Sequence, residues 1–166
     1  MNVAQTIGVI GQFEAGSSLA HAINVVKTAG GFARLGHRVI VCCRAPQNGA
    51  SVQCVARDYG EPSLEWRFEP RAAIESGSDL GREFARWAVG MCTAERCDIV
   101  YARHFHGALA AARRRVKAIL ETHAHAGEPN ALLEECLRSL GPYKKGQIAS
   151  LVTISMILKE DYLRRG

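Results

Sequence analysis

Residues 5–43, QTIGVIGQFEAGSSLAHAINVVKTAGGFARLGHRVIVCC, decide the fold. Short runs rich in β-branched residues at Gln5–Gly11 and Arg38–Cys43 predict two buried strands. Residues 18–35 carry apolar side chains at helical spacing, with Ser17 or Ser18 as the N-cap and Gly36 just past the end. A strand, a helix and a second strand in this order form a βαβ unit, in which the two strands are parallel.

The same alternation continues to the end of the chain. Further strands are predicted at 64–68, 98–102, 116–121 and 151–154, and further helices at 52–59, 79–94, 107–114, 130–140 and 156–165. Strands that alternate with helices indicate a mainly parallel sheet covered on both faces. The sequence therefore predicts one Rossmann-like α/β/α domain of three layers over residues 1–166. Gly30 and Gly31 lie inside the first long helix, which predicts close packing of that helix on the sheet.

Composition excludes several classes of protein. The 166 residues are 48% hydrophobic and 22% charged, as in an ordinary globular domain rather than a disordered chain. The longest apolar run at a predicted strand, Val39–Cys43, is far shorter than the roughly 20 residues of a membrane span. The N-terminus lacks the basic and apolar regions of a secretory signal, so a cytoplasmic location is expected. Six cysteines without a CxxC pair are expected to be reduced and to serve as small hydrophobic residues.

The formal net charge is +5, and the basic residues cluster at 113–117, 144–145 and 164–165. A solvated surface is the first interpretation of these clusters, followed by an anionic membrane surface or a phosphorylated ligand. Aromatic residues do not interleave with the basic ones and no nucleic-acid motif is present, so nucleic acid is not expected as a partner.

Two H-x-H pairs follow predicted strands. His104 and His106 come after the strand at 98–102, whereas His123 and His125 come after the strand at 116–121, which Glu121 ends. Alternation along the strand end places Glu121, His123 and His125 on one side. If the two strands are neighbours, all four imidazoles can converge on a metal ion, as in a metal-dependent hydrolase.

Other interpretations of these histidines stay open. Neither loop supplies an aspartate partner, so a single histidine acting as a general base or contacting a hydroxyl group is the simpler chemistry. Histidines that only satisfy the loop backbone are the plainest alternative. His21, early in the first helix, can face the strand ends and bind substrate, whereas His37 is expected in a turn at the opposite end of the sheet.

The first loop does not carry the dinucleotide-binding fingerprint. Gly8, Gly11 and Gly16 have the wrong spacing for G-x-G-x-x-G, and the second strand ends in VCCR without an acidic residue. A nicotinamide cofactor is therefore not expected. The start of the first helix can still bind an anion or a polar ligand through its free N–H groups.

Four segments together resemble the N-terminal domain of retaining, family-4 glycosyltransferases of the GT-B fold. They are SSLAHAINVVKTAGGFARLGHRVIVCCR at 17–44, DIVYARHFHGALAA at 98–111, AILETHAHAGEP at 118–129 and SLVTISMILKEDYLRRG at 150–166. In order and spacing the resemblance covers the chain from about Thr6 to Gly166.

The resemblance implies two Rossmann-like domains that face each other across a cleft. The N-terminal domain binds the acceptor, a saccharide or a lipid-linked sugar, and the C-terminal domain, absent from this chain, binds the nucleotide-sugar. This chain is then the acceptor-binding half of a transferase of the kind that builds polysaccharides, inactive when isolated. The nucleotide-sugar is a co-substrate, no other cofactor or metal is implied, and peripheral contact with the inner face of the membrane is possible. A non-catalytic Rossmann-like binding domain remains the other alternative.

The resemblance also assigns site residues. His123 matches the histidine near the reacting sugar, and Glu121 matches the acidic residue just before it. Arg103 matches an arginine at a strand end. Gly16 and Ser17 match a glycine-rich loop that approaches the donor phosphates or the acceptor, although this chain has Gly-Ser-Ser where the family usually has two adjacent glycines.

Overall fold

The computed structural model describes residues 3–47, 49–70, 80–125, 130–141 and 147–164. The strands are β1 (Thr6–Glu14), β2 (Arg38–Arg44), β3 (Glu65–Glu69), β4 (Ile99–Ala102), β5 (Lys117–Thr122) and β6 (Ile148–Thr153). The helices are α1 (Ala20–Arg34), α2 (Val52–Tyr59), α3 (Leu80–Ala94), α4 (Phe105–Arg113), α5 (Ala131–Arg138) and α6 (Met156–Arg164). The predicted helix start at Asp79, the basic pair Lys144–Lys145 and the end of the last helix at Arg165 lie outside the described residues.

The six strands form one parallel sheet in the order β3-β2-β1-β4-β5-β6. The predicted Rossmann-like α/β class is confirmed. One apolar cluster packs α1 and α2 on one face of the sheet, and a second packs α3, α4 and α5 on the other. The chain order reverses between β1 and β4, and ligands of such sheets bind outside the carboxyl ends of the strands at this point.

The start of α1 differs from the prediction. The N-cap is Leu19 rather than Ser17 or Ser18, and its side chain makes no capping hydrogen bond. Ser17 instead accepts a hydrogen bond from the N–H of Leu19 at 3.3 Å. Gly16 has a φ of +86°, a left-handed conformation that glycine adopts without strain. Because of this turn, α1 begins about two residues later than predicted.

The reason for Gly30 also differs from the prediction. A Cβ atom on Gly30 would lie 2.2 Å from Oε2 of Glu61, so the glycine makes room for this carboxylate and not for the sheet. Glu61 is 5% exposed and is paired with Lys27 at 3.2 Å and Arg34 at 3.0 Å. Burial raises the pKa of Glu61, but the hydrogen bonds from Lys27 and Arg34 outweigh it and hold the pKa below its usual range.

Other sequence predictions agree with the structure. The backbone N–H of Gln5 donates to Nδ1 of His37 at 3.2 Å, which places His37 at the amino edge of the sheet, as expected. All six cysteines are free thiols. Within the described residues, no helix has the length and apolar character needed to cross a membrane.

Candidate functional site

A cleft of about 570 Å³ lies at the carboxyl edge of the sheet, where the strand order reverses. The end of β1, the start of α1 and the segments that follow β4 and β5 form its walls. Its lining residues are Gly11, Gln12, Phe13, His21, Val25, Arg103, His104, Phe105, Glu121, Thr122, His123, Ala124 and Asn130.

Arg103, Glu121 and His123 form a polar cluster in this cleft. Nε of Arg103 lies 2.8 Å from Oε1 of Glu121 and 2.9 Å from Nε2 of His123, and Nε2 of His123 lies 3.0 Å from the same carboxylate oxygen. The side chains of Arg103 and Glu121 are each 9% exposed, whereas that of His123 is 40% exposed. The ion pair is therefore buried beneath an imidazole that a ligand can reach.

Two further hydrogen bonds hold the cluster in place. The hydroxyl of Tyr101 donates to Oε2 of Glu121 at 2.6 Å, and Nη1 of Arg103 donates to the carbonyl oxygen of His21 at 3.0 Å. Burial and the hydrogen bond to Glu121 raise the pKa of Tyr101, so its hydroxyl keeps its proton and remains a donor. The arginine also ties the segment after β4 to the start of α1.

Strand register explains why these residues meet. Tyr101 pairs with Ile119 and Ala102 with Leu120, so Arg103 comes opposite Glu121 one step further along. Tyr101 packs in the apolar cluster on the α1 face, and alternate residues of a strand point to the same face. Arg103 and Glu121 therefore emerge on the face that α1 covers.

The four histidines do not converge. His104 packs edge-on against Phe84 of α3 and lies next to His106, with ring centroids 5.3 Å apart, on the face opposite the Arg103 cluster. Within the described ranges, no three His, Cys, Asp or Glu side chains are grouped to hold a metal ion. The alternative of a four-histidine metal site is wrong for the described residues, because the two H-x-H pairs begin at positions of opposite alternation.

Burial lowers the pKa of His104 to about 4, and the charges of His106 and Arg44 add to the shift. Its Nδ1 is buried without a hydrogen-bond partner among the described residues. At neutral pH this imidazole is therefore uncharged.

His125 is not among the residues that line the cleft with Glu121 and His123. The strand alternation ends with β5 at Thr122, and Nδ1 of His125 lies 3.8 Å from Oδ2 of Asp161 on α6. Next to it, the hydroxyl of Tyr162 donates to the carbonyl oxygen of Ala124 at 2.9 Å. Helix α6 thus holds the segment that carries His123.

Gly16 and Ser17 lie in an adjoining cavity of about 560 Å³, which shares Gln12, Phe13 and His21 with the cleft. The hydroxyl of Tyr59 donates to the carbonyl oxygen of Ser17 at 2.8 Å and fixes this loop. Six of the seven site residues named from the sequence therefore line the cleft or this cavity, and His125 is the exception: Gly16, Ser17, His21, Arg103, Glu121 and His123.

Three residues of the site or its surroundings were not predicted from the sequence. Tyr101 lies in β4 two residues before Arg103, which follows the end of the strand, so alternation indicates that the two side chains share a face. Asn130 caps α5 by accepting hydrogen bonds from the N–H groups of Leu132 and Leu133, and it lines the cleft as well. Tyr162 gave no local signal, because its contact with Ala124 spans 38 residues.

Three solved structures with a similar fold carry names of glycosyltransferases. A glycosyltransferase from Rickettsia africae matches 96% of this chain with a TM-score of 0.60 at 15% identity, and the match covers 39% of that protein. SnogD from Streptomyces nogalater matches 92% of the chain with a TM-score of 0.53 at 15% identity, and the match covers 43% of SnogD. UGT73P12 from Glycyrrhiza uralensis, solved with glycyrrhetinic acid 3-O-monoglucuronide, matches 74% of the chain with a TM-score of 0.50 at 16% identity, covering 29% of that enzyme.

These neighbours support the predicted relation to the GT-B fold. At 15–16% identity the likeness shows the fold alone, and the chain spans less than half the length of each neighbour. No protein-family model matches the sequence, and no curated protein matches it either.

Proposed function

We propose that this chain is the acceptor-binding, N-terminal domain of a glycosyltransferase that moves a sugar from a nucleotide-sugar to a saccharide or a lipid-linked acceptor. The observation that carries the proposal is the Arg103–Glu121–His123 cluster, which lies in a cleft at the switch point of a fold related to GT-B. The nucleotide-sugar is the co-substrate and is held mainly by a second domain. The retaining, family-4 type is part of the proposal.

His123 is the residue proposed to touch the substrate. It is the most accessible member of the cluster, and its Nε2 lies 2.9 Å from Nε of Arg103 and 3.0 Å from Oε1 of Glu121. An imidazole in this position can hydrogen-bond to sugar hydroxyls and stabilise charge as the leaving phosphate departs. Its fixed orientation is an advantage, because a preorganised donor needs little reorganisation during the reaction.

Glu121 and Arg103 act as positioning residues in this proposal. Both carboxylate oxygens of Glu121 are occupied, one by Tyr101 and the other by the Arg103–His123 pair. A carboxylate that is 9% exposed and bonded on both oxygens is poorly placed to attack a substrate. Its negative charge instead keeps Arg103 in place and orients His123.

The first loop, which carries Gly16 and Ser17, is proposed to bind the donor phosphates or the acceptor. The N-cap Leu19 supplies no side-chain hydrogen bond within the described residues, so the first N–H groups of α1 are open to a ligand oxygen. The adjoining cavity lined by Gly16 and Ser17 leads to these groups. Phosphate or hydroxyl oxygens suit this position.

The test begins with the native reading frame beyond the codon for Gly166. The proposal expects it to encode a further domain of about 150 residues. The encoded protein is then assayed for release of nucleoside diphosphate from UDP- and GDP-sugars in the presence of octyl glycosides as acceptors. His123→Ala should lower this release at least tenfold.

His37→Asn is the matched control. It replaces a histidine at the opposite edge of the sheet and keeps an acceptor near the position of Nδ1 that serves Gln5. Equal activity of wild type, His123→Ala and His37→Asn would refute the role of His123. A reading frame without a second domain, together with no partner subunit that restores transfer, would refute the two-domain enzyme.

Cytoplasmic location and peripheral membrane contact remain proposals that follow from the same assignment. A lipid-linked acceptor would bring the enzyme to the inner face of the membrane. Sedimentation with vesicles at low salt tests this contact, and binding to anionic vesicles no stronger than to neutral ones would refute it.

A further inference from the structure

The backbone next to His123 is held by hydrogen bonds from two directions. The last paired residues of β5 and β6 are Thr122 and Thr153, so His123 lies one residue beyond the paired part of the sheet. The N–H of Ala124 donates to Oγ1 of Thr122 at 3.1 Å, and its carbonyl oxygen accepts from the hydroxyl of Tyr162 at 2.9 Å. The peptide groups that follow His123 are therefore fixed by the strand end and by α6.

The position of α6 itself depends on few contacts. Leu158 is the buried residue of this helix and is 5% exposed. It stands four residues before Tyr162, so the two side chains lie on the same side of the helix. Nδ1 of His125 lies 3.8 Å from Oδ2 of Asp161 and adds a second contact with the segment after β5. An element that buries so little side-chain surface is sensitive to the loss of a single contact.

The imidazole of His123 depends on this backbone. Its Nε2 lies 2.9 Å from Nε of Arg103 and 3.0 Å from Oε1 of Glu121, and its side chain is 40% exposed, so water competes for both partners. Hydrogen bonds weaken steeply as their geometry is lost. A misplacement of about 1 Å in a reacting group can lower a rate about 100-fold. A contact that fixes the backbone at Ala124 therefore acts on the chemistry at His123.

We infer that Tyr162 is a positioning residue for His123. Its hydroxyl holds the carbonyl group of Ala124, and through this backbone it keeps the imidazole against Arg103 and Glu121. No described residue of α6 lines the cleft, so Tyr162 acts through the segment that carries His123 and not on the ligand. The inference rests on the proposed function, in which His123 touches the substrate. It adds that α6 controls the affinity of the cleft for a saccharide.

Tyr59 gives a matched comparison within the same chain. Its hydroxyl donates to the carbonyl oxygen of Ser17 at 2.8 Å, and both tyrosine hydroxyls are part-buried. Tyr59→Phe and Tyr162→Phe therefore remove the same kind of hydrogen bond, from a tyrosine hydroxyl to a loop carbonyl group. The bond of Tyr162 lies next to His123, whereas the bond of Tyr59 holds the first loop. If Tyr162 had a structural role alone, the two variants would affect His123 equally.

The experiment compares wild type, Tyr162→Phe and Tyr59→Phe by nuclear magnetic resonance of the labelled full chain. In Tyr162→Phe the amides of Ala124 and His125 should exchange with solvent about fivefold faster, the factor that corresponds to one net hydrogen bond. The Overhauser contact between the ring protons of His123 and the methylene protons of Arg103 should weaken. The dissociation constant of the best-bound octyl glycoside should rise about fivefold. Tyr59→Phe should leave the exchange and the Overhauser contact unchanged, although urea unfolding should show a comparable loss of stability in both variants.

Two results would overturn the inference and leave the proposed function standing. One is unchanged amide exchange together with an unchanged contact between His123 and Arg103 in Tyr162→Phe. The other is an equal change in both variants, which indicates a general loss of rigidity. A wild-type chain that binds none of the octyl glycosides would instead refute the proposed function and with it the control of affinity by α6. The exchange rates and the Overhauser contact would then still decide whether Tyr162 positions His123.

Discussion

Replacing Glu121 by glutamine tests the buried cluster at its centre. Glutamine keeps the shape of the side chain and can still hydrogen-bond to Tyr101, but it removes the negative charge opposite Arg103. The side chains of Arg103 and Glu121 are each 9% exposed and 2.8 Å apart. Removing one partner of a buried ion pair costs about 3–5 kcal/mol. Because glutamine retains neutral hydrogen bonds worth about 1 kcal/mol, a loss of about 2–4 kcal/mol is expected.

Glu135→Gln provides the matched control. It makes the same chemical change in an ion pair whose arginine, Arg113, is 66% exposed. Exposed ion pairs contribute about 0–1 kcal/mol, so this variant should unfold almost as the wild type does. The assay is urea unfolding followed by circular dichroism, with the free energy of unfolding extrapolated to water.

A third variant separates the charge effect from packing. Combining Glu121→Gln with Arg103→Met removes both charges, and the double variant should be more stable than Glu121→Gln alone. A loss for Glu121→Gln no larger than that for Glu135→Gln would refute the role of the buried charge. A loss for the double variant equal to the sum of the two single losses would refute it as well.

Three other predictions concern stability, and each is measured by the same urea assay. Gly30→Ala should lower the free energy of unfolding by about 1–3 kcal/mol, because the new Cβ would collide with the Glu61 carboxylate. Gly31→Ala has no described atom within 4 Å of its new Cβ and should stabilise the chain by about 0.5–1 kcal/mol. Equal effects of the two substitutions would contradict the packing of Gly30 against Glu61. Asn130→Ala should cost about 1 kcal/mol through the loss of the α5 cap, and a loss equal to that of Asn130→Asp would contradict the role of the cap. For His104 the pKa is lowered from 6.5 to about 4 on folding, so the unfolded chain binds more protons between these values and stability falls as the pH drops below about 6.5. At pH 5 this loss is about 1–2 kcal/mol after allowance for partial exposure, and His104→Gln should lack that part of the pH dependence; an unchanged pH dependence in the variant would refute the assignment.

Sequence patterns predicted the fold well because each element carries a strong local signal. The run from Val39 to Cys43 is apolar on both faces, as a central parallel strand requires, and Gly60 ends α2 in the left-handed conformation. The alternation of strands and helices then left few topologies. The start of α1 was harder to predict, because Ser17 and Ser18 are both good caps and the left-handed turn at Gly16 decides which residue begins the helix.

The site was predicted only in part. The resemblance named Glu121, His123 and Arg103 separately, and the structure brings their side chains into contact in one cleft, while their roles stay predictions. The expectation that four histidines could converge was wrong, because strand alternation places His104 and Arg103 on opposite faces of the sheet. The position of His125 depends on α6, which packs against the segment after β5. This contact is long-range, so no local sequence pattern predicts it.

The central claim is that the cleft at Arg103 and His123 binds a saccharide. The most direct measurement is the backbone amide chemical shifts of the ¹⁵N-labelled chain during titration with disaccharides and octyl glycosides. The account predicts that at least one of these probes shifts the amides of residues 103–105 and 121–124 and of His21, and that His123→Ala weakens the effect at least tenfold while His37→Asn does not. Shifts confined to other surfaces, or no shift with any probe at millimolar concentration, would contradict it.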